Sequence, residues 1–230
     1  MKLFTFPYAF GTDAIYSDLT AQLSPHLKVE NMNYPGHGKR IQEKFVSSIQ
    51  EIAKDAIDII KNTTEPYALL GYSMGAIVCC EILRQLQNAP YRMPDHIFLL
   101  ASAPPSVRSK RSENGELTMA EAREILLETG QTPKEVIESD EIMAFVFPMM
   151  QADVKVLENA YLAKWPYEQV AIPLTIINGE QENPTEEAWQ AFFPNDANCQ
   201  YLRFDGDHFF LFEKRENLLK LKEIILEKLI

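Results

Sequence analysis

The segment Gly71-Tyr72-Ser73-Met74-Gly75 sets a serine two residues from a glycine on either side. It follows the apolar run Tyr67-Ala68-Leu69-Leu70 and precedes residues 76–86, which contain neither Gly nor Pro. A Gly-x-Ser-x-Gly pattern between a strand and a helix reads as a nucleophile elbow, a turn so tight that only small residues fit beside it. The serine hydroxyl then stands above the sheet, at a helix N-terminus whose free N–H groups favour developing negative charge. The chemistry this serves is attack of Ser73 on a carbonyl carbon.

A serine hydroxyl is a poor nucleophile at neutral pH, so it needs a base, and the base needs an orienting carboxylate. With a serine elbow, the partners follow in the order acid, then histidine. The chain has four histidines; His26 and His37 precede Ser73 and His96 opens a predicted strand, which leaves His208. It lies in Asp205-Gly206-Asp207-His208-Phe209, between the last predicted strand and the last predicted helix. The acid should follow the strand at 174–178, where Glu180 and Glu182 both qualify by position. An oxyanion would need two donors: the backbone N–H of Met74, and one from the loop Pro7-Tyr8-Ala9-Phe10-Gly11.

These groups require a scaffold that brings distant loops to one edge. Short apolar runs at 2–6, 28–33, 67–71, 96–101, 174–178 and 200–204 read as strands. They alternate with helical patterns, the signature of a mostly parallel sheet with helices on both faces. In the helix after residue 48, Ser48 and Glu51 form a capping box, and Ile49, Ile52, Ala53, Ala56, Ile59 and Ile60 recur at helical spacing. Leu218, Leu221, Ile225 and Leu229 give the last helix an apolar face.

One stretch breaks the alternation. Residues 104–170 show no strand pattern and read as short amphipathic helices at 121–128, 133–137 and 154–163. Such an insertion after a strand predicts a helical lid on a core formed by residues 1–103 and 171–230, with hinges at 103–106 and around Trp165-Pro166. Met143, Phe145, Phe147, Met149 and Met150 crowd its middle, as core or as an adaptable wall for an acyl chain.

Composition narrows the class. The 230 residues are 46% hydrophobic, enough for one sizeable domain, and carry a formal net charge of −11. That charge repels phosphates and argues against nucleic acid or an anionic membrane as partner. Arg108, Lys110 and Arg111 form a small basic cluster that reads as a solvated loop. No apolar run reaches membrane-span length, and Met1 to Phe6 is too short for a signal-peptide core before Pro7. Three cysteines, two of them adjacent behind Ser73, fit buried thiols in a reducing cytoplasm. No cluster has metal-ligand spacing, and Asn33-Tyr34-Pro35-Gly36-His37-Gly38 reads as a turn rather than a phosphate loop.

Taken in order, several segments resemble the stand-alone type II thioesterases of non-ribosomal peptide and polyketide synthesis, which have the α/β-hydrolase fold. They are Phe4-Thr5-Phe6-Pro7-Tyr8-Ala9, Asn33-Tyr34-Pro35-Gly36-His37-Gly38-Lys39-Arg40, the serine turn, and Gly206-Asp207-His208-Phe209-Phe210-Leu211. Thr132-Pro133-Lys134-Glu135-Val136 and Met150-Gln151-Ala152-Asp153, followed by Glu158 and Tyr161, add to it. The resemblance implies hydrolysis of acyl thioesters from the 4′-phosphopantetheine arm of an acyl or peptidyl carrier protein by a monomer that needs no cofactor. It implies Ser73 as nucleophile, His208 as base, Glu182 as acid, and the Met74 and Ala9 amides as oxyanion donors. The chain departs from the family pattern at Glu182 (usually Asp), Tyr72 (His), Phe10 (Gly), His37 (Arg) and Asp207 (Gly). The competing expectations are an esterase or lipase acting on small free esters, and a silent hydrolase fold that only binds.

Overall fold

The computed structural model describes residues 1–107, 116–130, 132–162, 164–170, 172–182, 186–194 and 197–230. Its six strands are β1 (Lys2–Phe6), β2 (Lys28–Asn31), β3 (Tyr67–Tyr72), β4 (His96–Leu100), β5 (Leu174–Gly179) and β6 (Cys199–Phe204). They form one sheet in the order β2-β1-β3-β4-β5-β6, with every pair parallel. All six expected strands are present, within a residue or two of their expected ends.

The helices are α1 (Ser17–Leu23), α2 (Ile49–Ile60), α3 (Met74–Leu86), α4 (Met119–Thr129), α5 (Lys134–Glu138), α6 (Asp140–Asn159), α7 (Glu186–Phe192), α8 (Phe210–Glu213) and α9 (Arg215–Leu229). Successive strand residues point to opposite faces, so each central strand feeds two cores. Phe4, Leu69, Ile97, Leu99 and Ile176 pack with α2 and α3 on one side. Leu3, Ala68, Leu70, Tyr72, Phe98 and Ile177 pack with α1 and α9 on the other. Burial on both faces explains why the strands read as continuous apolar runs.

At the start of α2 the Ser48 hydroxyl accepts the Glu51 N–H, but the Glu51 carboxylate returns to the N–H of Ser47 rather than that of Ser48. A complete capping box occurs instead at α4, between Thr118 and Glu121.

Between β4 and β5 the described residues contain helices α4, α5 and α6 and no strand. The helix expected at 154–163 is the second half of α6, a 20-residue helix with Pro148 inside it. Proline removes one hydrogen bond and usually ends a helix; here Met143 and Met150, one heptad apart, keep both halves on one small core with Leu117, Ile125, Leu126 and Val154. That packing also corrects the alternative of an adaptable acyl wall. Met143 and Met150 are buried, Phe145 points outward at 69% exposure, and none of the five Met and Phe residues borders the cleft at Ser73. Trp165, expected at a hinge, is buried against Phe192 and Phe193, and its backbone N–H donates to the Phe192 carbonyl at 3.0 Å. The cluster Arg108, Lys110 and Arg111 lies outside the described residues.

Candidate active site

In a parallel sheet every strand delivers its following loop to the same edge. The sheet order reverses direction between β1 and β3, and the loops after these two strands open the crevice where such sheets hold ligands. Ser73 follows β3 directly, with φ 54° and ψ −112°, and its N–H bonds the Leu100 carbonyl at 2.8 Å. The flanking glycines are required by contact. A Cβ on Gly71 would lie 2.1 Å from the Gly75 carbonyl oxygen, and one on Gly75 would lie 2.1 Å from that of Phe6. Only bare backbone lets α3 start so close to β1 and β3.

His208 arrives from the loop after β6. Its Nε2 lies 3.1 Å from Ser73 Oγ and its Nδ1 lies 2.7 Å from Glu182 Oε1. A carboxylate can only accept, so Nδ1 carries the proton and Nε2 is left with the lone pair that faces the serine hydroxyl. The other carboxylate oxygen of Glu182 accepts the Gly179 N–H at 2.8 Å, which leaves the side chain little freedom to swing. Of the two glutamates left open by position, Glu182 meets His208 and Glu180 is exposed. The turn folds so because Gly179 sits against the Asp207 and Gly206 carbonyls, where a Cβ would approach to 2.4 Å. The carboxylate of Asp207 accepts the Phe209 N–H at 2.9 Å and shapes the loop.

Met74 is the first residue of α3, and Ala9 lies in the loop after β1. Among the described residues neither backbone N–H has an acceptor. Ala9 and Ser73 border one cleft of about 620 Å³, together with Phe10, His208 and Glu182. Ile125, Leu126 and Leu157 of the helical insertion form its apolar wall, and Glu128 and Asp207 add negative charge. The arrangement can transfer a serine proton to an imidazole, with the unbonded N–H groups of Met74 and Ala9 in the two segments next to it.

Two relationships carried no signal in the sequence. The Tyr72 hydroxyl bonds the His208 carbonyl, and Asp153 of α6 meets both His37 and the Phe10 N–H. Both join residues more than a hundred positions apart. The segment around His37 is a turn as expected, closed by His37 N–H to the Tyr34 carbonyl at 3.0 Å. His96 is buried in β4, 2.8 Å from Thr175 Oγ1, and burial pushes its pKa down to about 4. Cys79 and Cys80 are buried free thiols. Among the described residues no group of three or more His, Cys, Asp or Glu could hold a metal ion, and no helix is long and apolar enough to cross a membrane.

The family model of the thioesterase domain matches residues 1–228. The protein named linear gramicidin dehydrogenase LgrE of Brevibacillus parabrevis is 29% identical over 98% of this chain and 87% of its own length. The rat (Rattus norvegicus) medium-chain S-acyl fatty acid synthase thioesterase is 28% identical over 95% of this chain and 85% of its own. Among solved structures, the type II thioesterase BorB from the borrelidin biosynthetic cluster superposes with a TM-score of 0.83 at 26% identity, covering 100% of this chain and 92% of BorB.

Proposed function

Since the chain belongs to the thioesterase domain family along nearly its whole length, we propose that it hydrolyses acyl thioesters through Ser73, His208 and Glu182, with the Met74 and Ala9 amides as oxyanion donors. The observation that carries this reading is the continuous hydrogen-bonded path from Ser73 Oγ through His208 to Glu182 at the mouth of the cleft.

In the first half-reaction Ser73 Oγ attacks the thioester carbonyl carbon as its proton passes to His208 Nε2. Glu182 holds the imidazole tautomer and stabilises the imidazolium. The oxygen of the tetrahedral intermediate takes the two amides. The C–S bond then breaks, His208 returns the proton to the leaving sulfur, and a free thiol departs from an acyl-serine. Water, deprotonated by His208, attacks the ester, and a carboxylic acid leaves with Ser73 restored.

The natural thiol is the 4′-phosphopantetheine arm of an acyl or peptidyl carrier protein, and the acyl groups removed are stalled or aberrant ones in peptide or polyketide assembly. Support comes from the names of the relatives, which point to gramicidin, fatty acid and borrelidin synthesis. A cleft walled by Ile125, Leu126 and Leu157 suits an acyl chain. The test is release of acyl groups from an acylated carrier protein by wild type and by Ser73→Ala. Loss of at least about a thousandfold in the variant is expected. Equal release by both would reject the mechanism, and a strong preference for free esters would reject the carrier-bound substrate.

A further inference from the structure

The helical insertion touches the oxyanion loop through one buried carboxylate. Asp153 Oδ2, on α6, accepts the Phe10 N–H at 2.7 Å and lies 3.1 Å from His37 Nε2. The His37 and Asp153 side chains are 2% and 3% exposed. The other ring nitrogen of His37, Nδ1, lies 3.1 Å from the Pro35 carbonyl. Both ring nitrogens therefore face groups that only accept, so His37 satisfies both as an imidazolium, and Asp153 is one half of a buried ion pair.

The Phe10 N–H belongs to the middle peptide of a four-residue turn, closed by Gly11 N–H to the Tyr8 carbonyl at 3.0 Å. Phe10 is the third residue of that turn and has φ 70°. A side chain in this left-handed region costs about 1–2 kcal/mol, which is why glycine is usual there. Rotating the middle peptide would relieve the strain. It would also turn the Ala9 carbonyl toward the Asp153 carboxylate, an acceptor facing an acceptor. Phe10 adds a second tie, since its ring packs on both the main core and the core of the insertion.

We propose that Asp153 is a positioning residue of the oxyanion site: it holds the turn at 8–11 in its observed conformation, which fixes the backbone beside the Ala9 N–H, and His37 holds its carboxylate in place. The helical insertion is then a structural part of the catalytic machinery, joined to it by α6. This rests on the assignment of Ala9 as an oxyanion donor.

Asp153→Ala and Asp153→Asn test it, with turnover of a small acyl thioester of N-acetylcysteamine and the rate of Ser73 phosphonylation by a fluorophosphonate as readouts. An oxyanion contact acts in the transition state, so Asp153→Ala should lower kcat about tenfold to a hundredfold with KM within about threefold. Phosphonylation should slow in parallel. The Asp153→Asn amide oxygen can take the place of Oδ2 and accept from both the Phe10 N–H and a His37 protonated at Nε2, so it should retain kcat within about fivefold. A folded Asp153→Ala with unchanged kcat and labelling rate overturns the proposal, as does an Asp153→Asn as impaired as Asp153→Ala. Labelling separates the two readings: wild type that is phosphonylated at Ser73 yet leaves thioesters intact rejects the thioesterase function, while the labelling rates still judge Asp153. If Asp153→Ala does not fold, hydrogen exchange of the Phe10 amide in wild type decides. Strong protection is expected, and exchange as fast as in an open loop overturns the proposal.

Discussion

The Tyr72 hydroxyl donates to the backbone carbonyl of His208 at 2.6 Å, so the residue just before the serine also holds the loop of the histidine. Tyr72 is fully buried, and burial raises its pKa well above 10, with the Glu182 charge adding to the effect, so it stays a donor. Its ring also packs on the rings of Tyr8, Phe210 and Phe212. Ser73 and His208 thus share a mount as well as a hydrogen bond.

Removing that hydroxyl leaves a buried carbonyl unsatisfied while the ring packing stays. Tyr72→Phe should lose about 1–3 kcal/mol of stability, read from urea denaturation. Its kcat should fall severalfold as His208 gains freedom, with KM little changed.

The two glutamates of the β5 turn should separate cleanly. Glu182→Gln keeps the size of the side chain but no longer favours the correct His208 tautomer, and kcat should drop about a thousandfold to ten-thousandfold. Glu180→Gln, exposed and away from the imidazole, should keep wild-type turnover. Steady-state kinetics on one thioester check both.

Glycines of the chain should differ according to what a Cβ meets. Gly75→Ala would press a methyl to 2.1 Å from the Phe6 carbonyl oxygen, backbone that cannot give way, and should leave little folded protein. Gly130 caps α4 at φ 62° with no described residue within 4 Å of a Cβ, so Gly130→Ala should cost only about 1–2 kcal/mol. Thermal denaturation of the two variants gives the contrast.

Two buried histidines should shape the pH profile of stability with opposite signs. Burial lowers the pKa of His37, but the hydrogen bond and charge of Asp153, with the Pro35 carbonyl, outweigh it and hold the pKa above 6.5. A raised folded pKa gives stability that is complete below the unfolded value of 6.5 and is lost as pH rises through the folded one. His96 behaves oppositely: its pKa of about 4 means stability is lost as pH falls from 6.5 toward 4. The Tm should therefore peak near neutral to slightly acid pH. His37→Gln should flatten the alkaline slope, and His96→Gln the acid one.

Sequence alone carried the sheet and the serine. The strands are legible because a parallel strand buried on both faces must be apolar throughout, and Leu69 and Phe98 need no knowledge of their neighbours to reveal that. Gly71 and Gly75 are legible because a local steric need leaves a local mark. His208 emerged by elimination, since chain order and strand placement removed the other three histidines. The first half of α6 was not legible: only 154–163 read as a helix there, and the turns before it are held by Met143 and Met150 packing on one core across Pro148.

Which glutamate meets His208 was decided only by tertiary packing. Glu180 and Glu182 share a turn and a chemistry, and their directions follow from how Gly179 docks against the Asp207 and Gly206 carbonyls. The same holds for Asp153, 143 positions from Phe10 and 116 from His37. Sequence records what a residue needs from its immediate neighbours, whereas a buried charge finds its partner only when the chain closes around it.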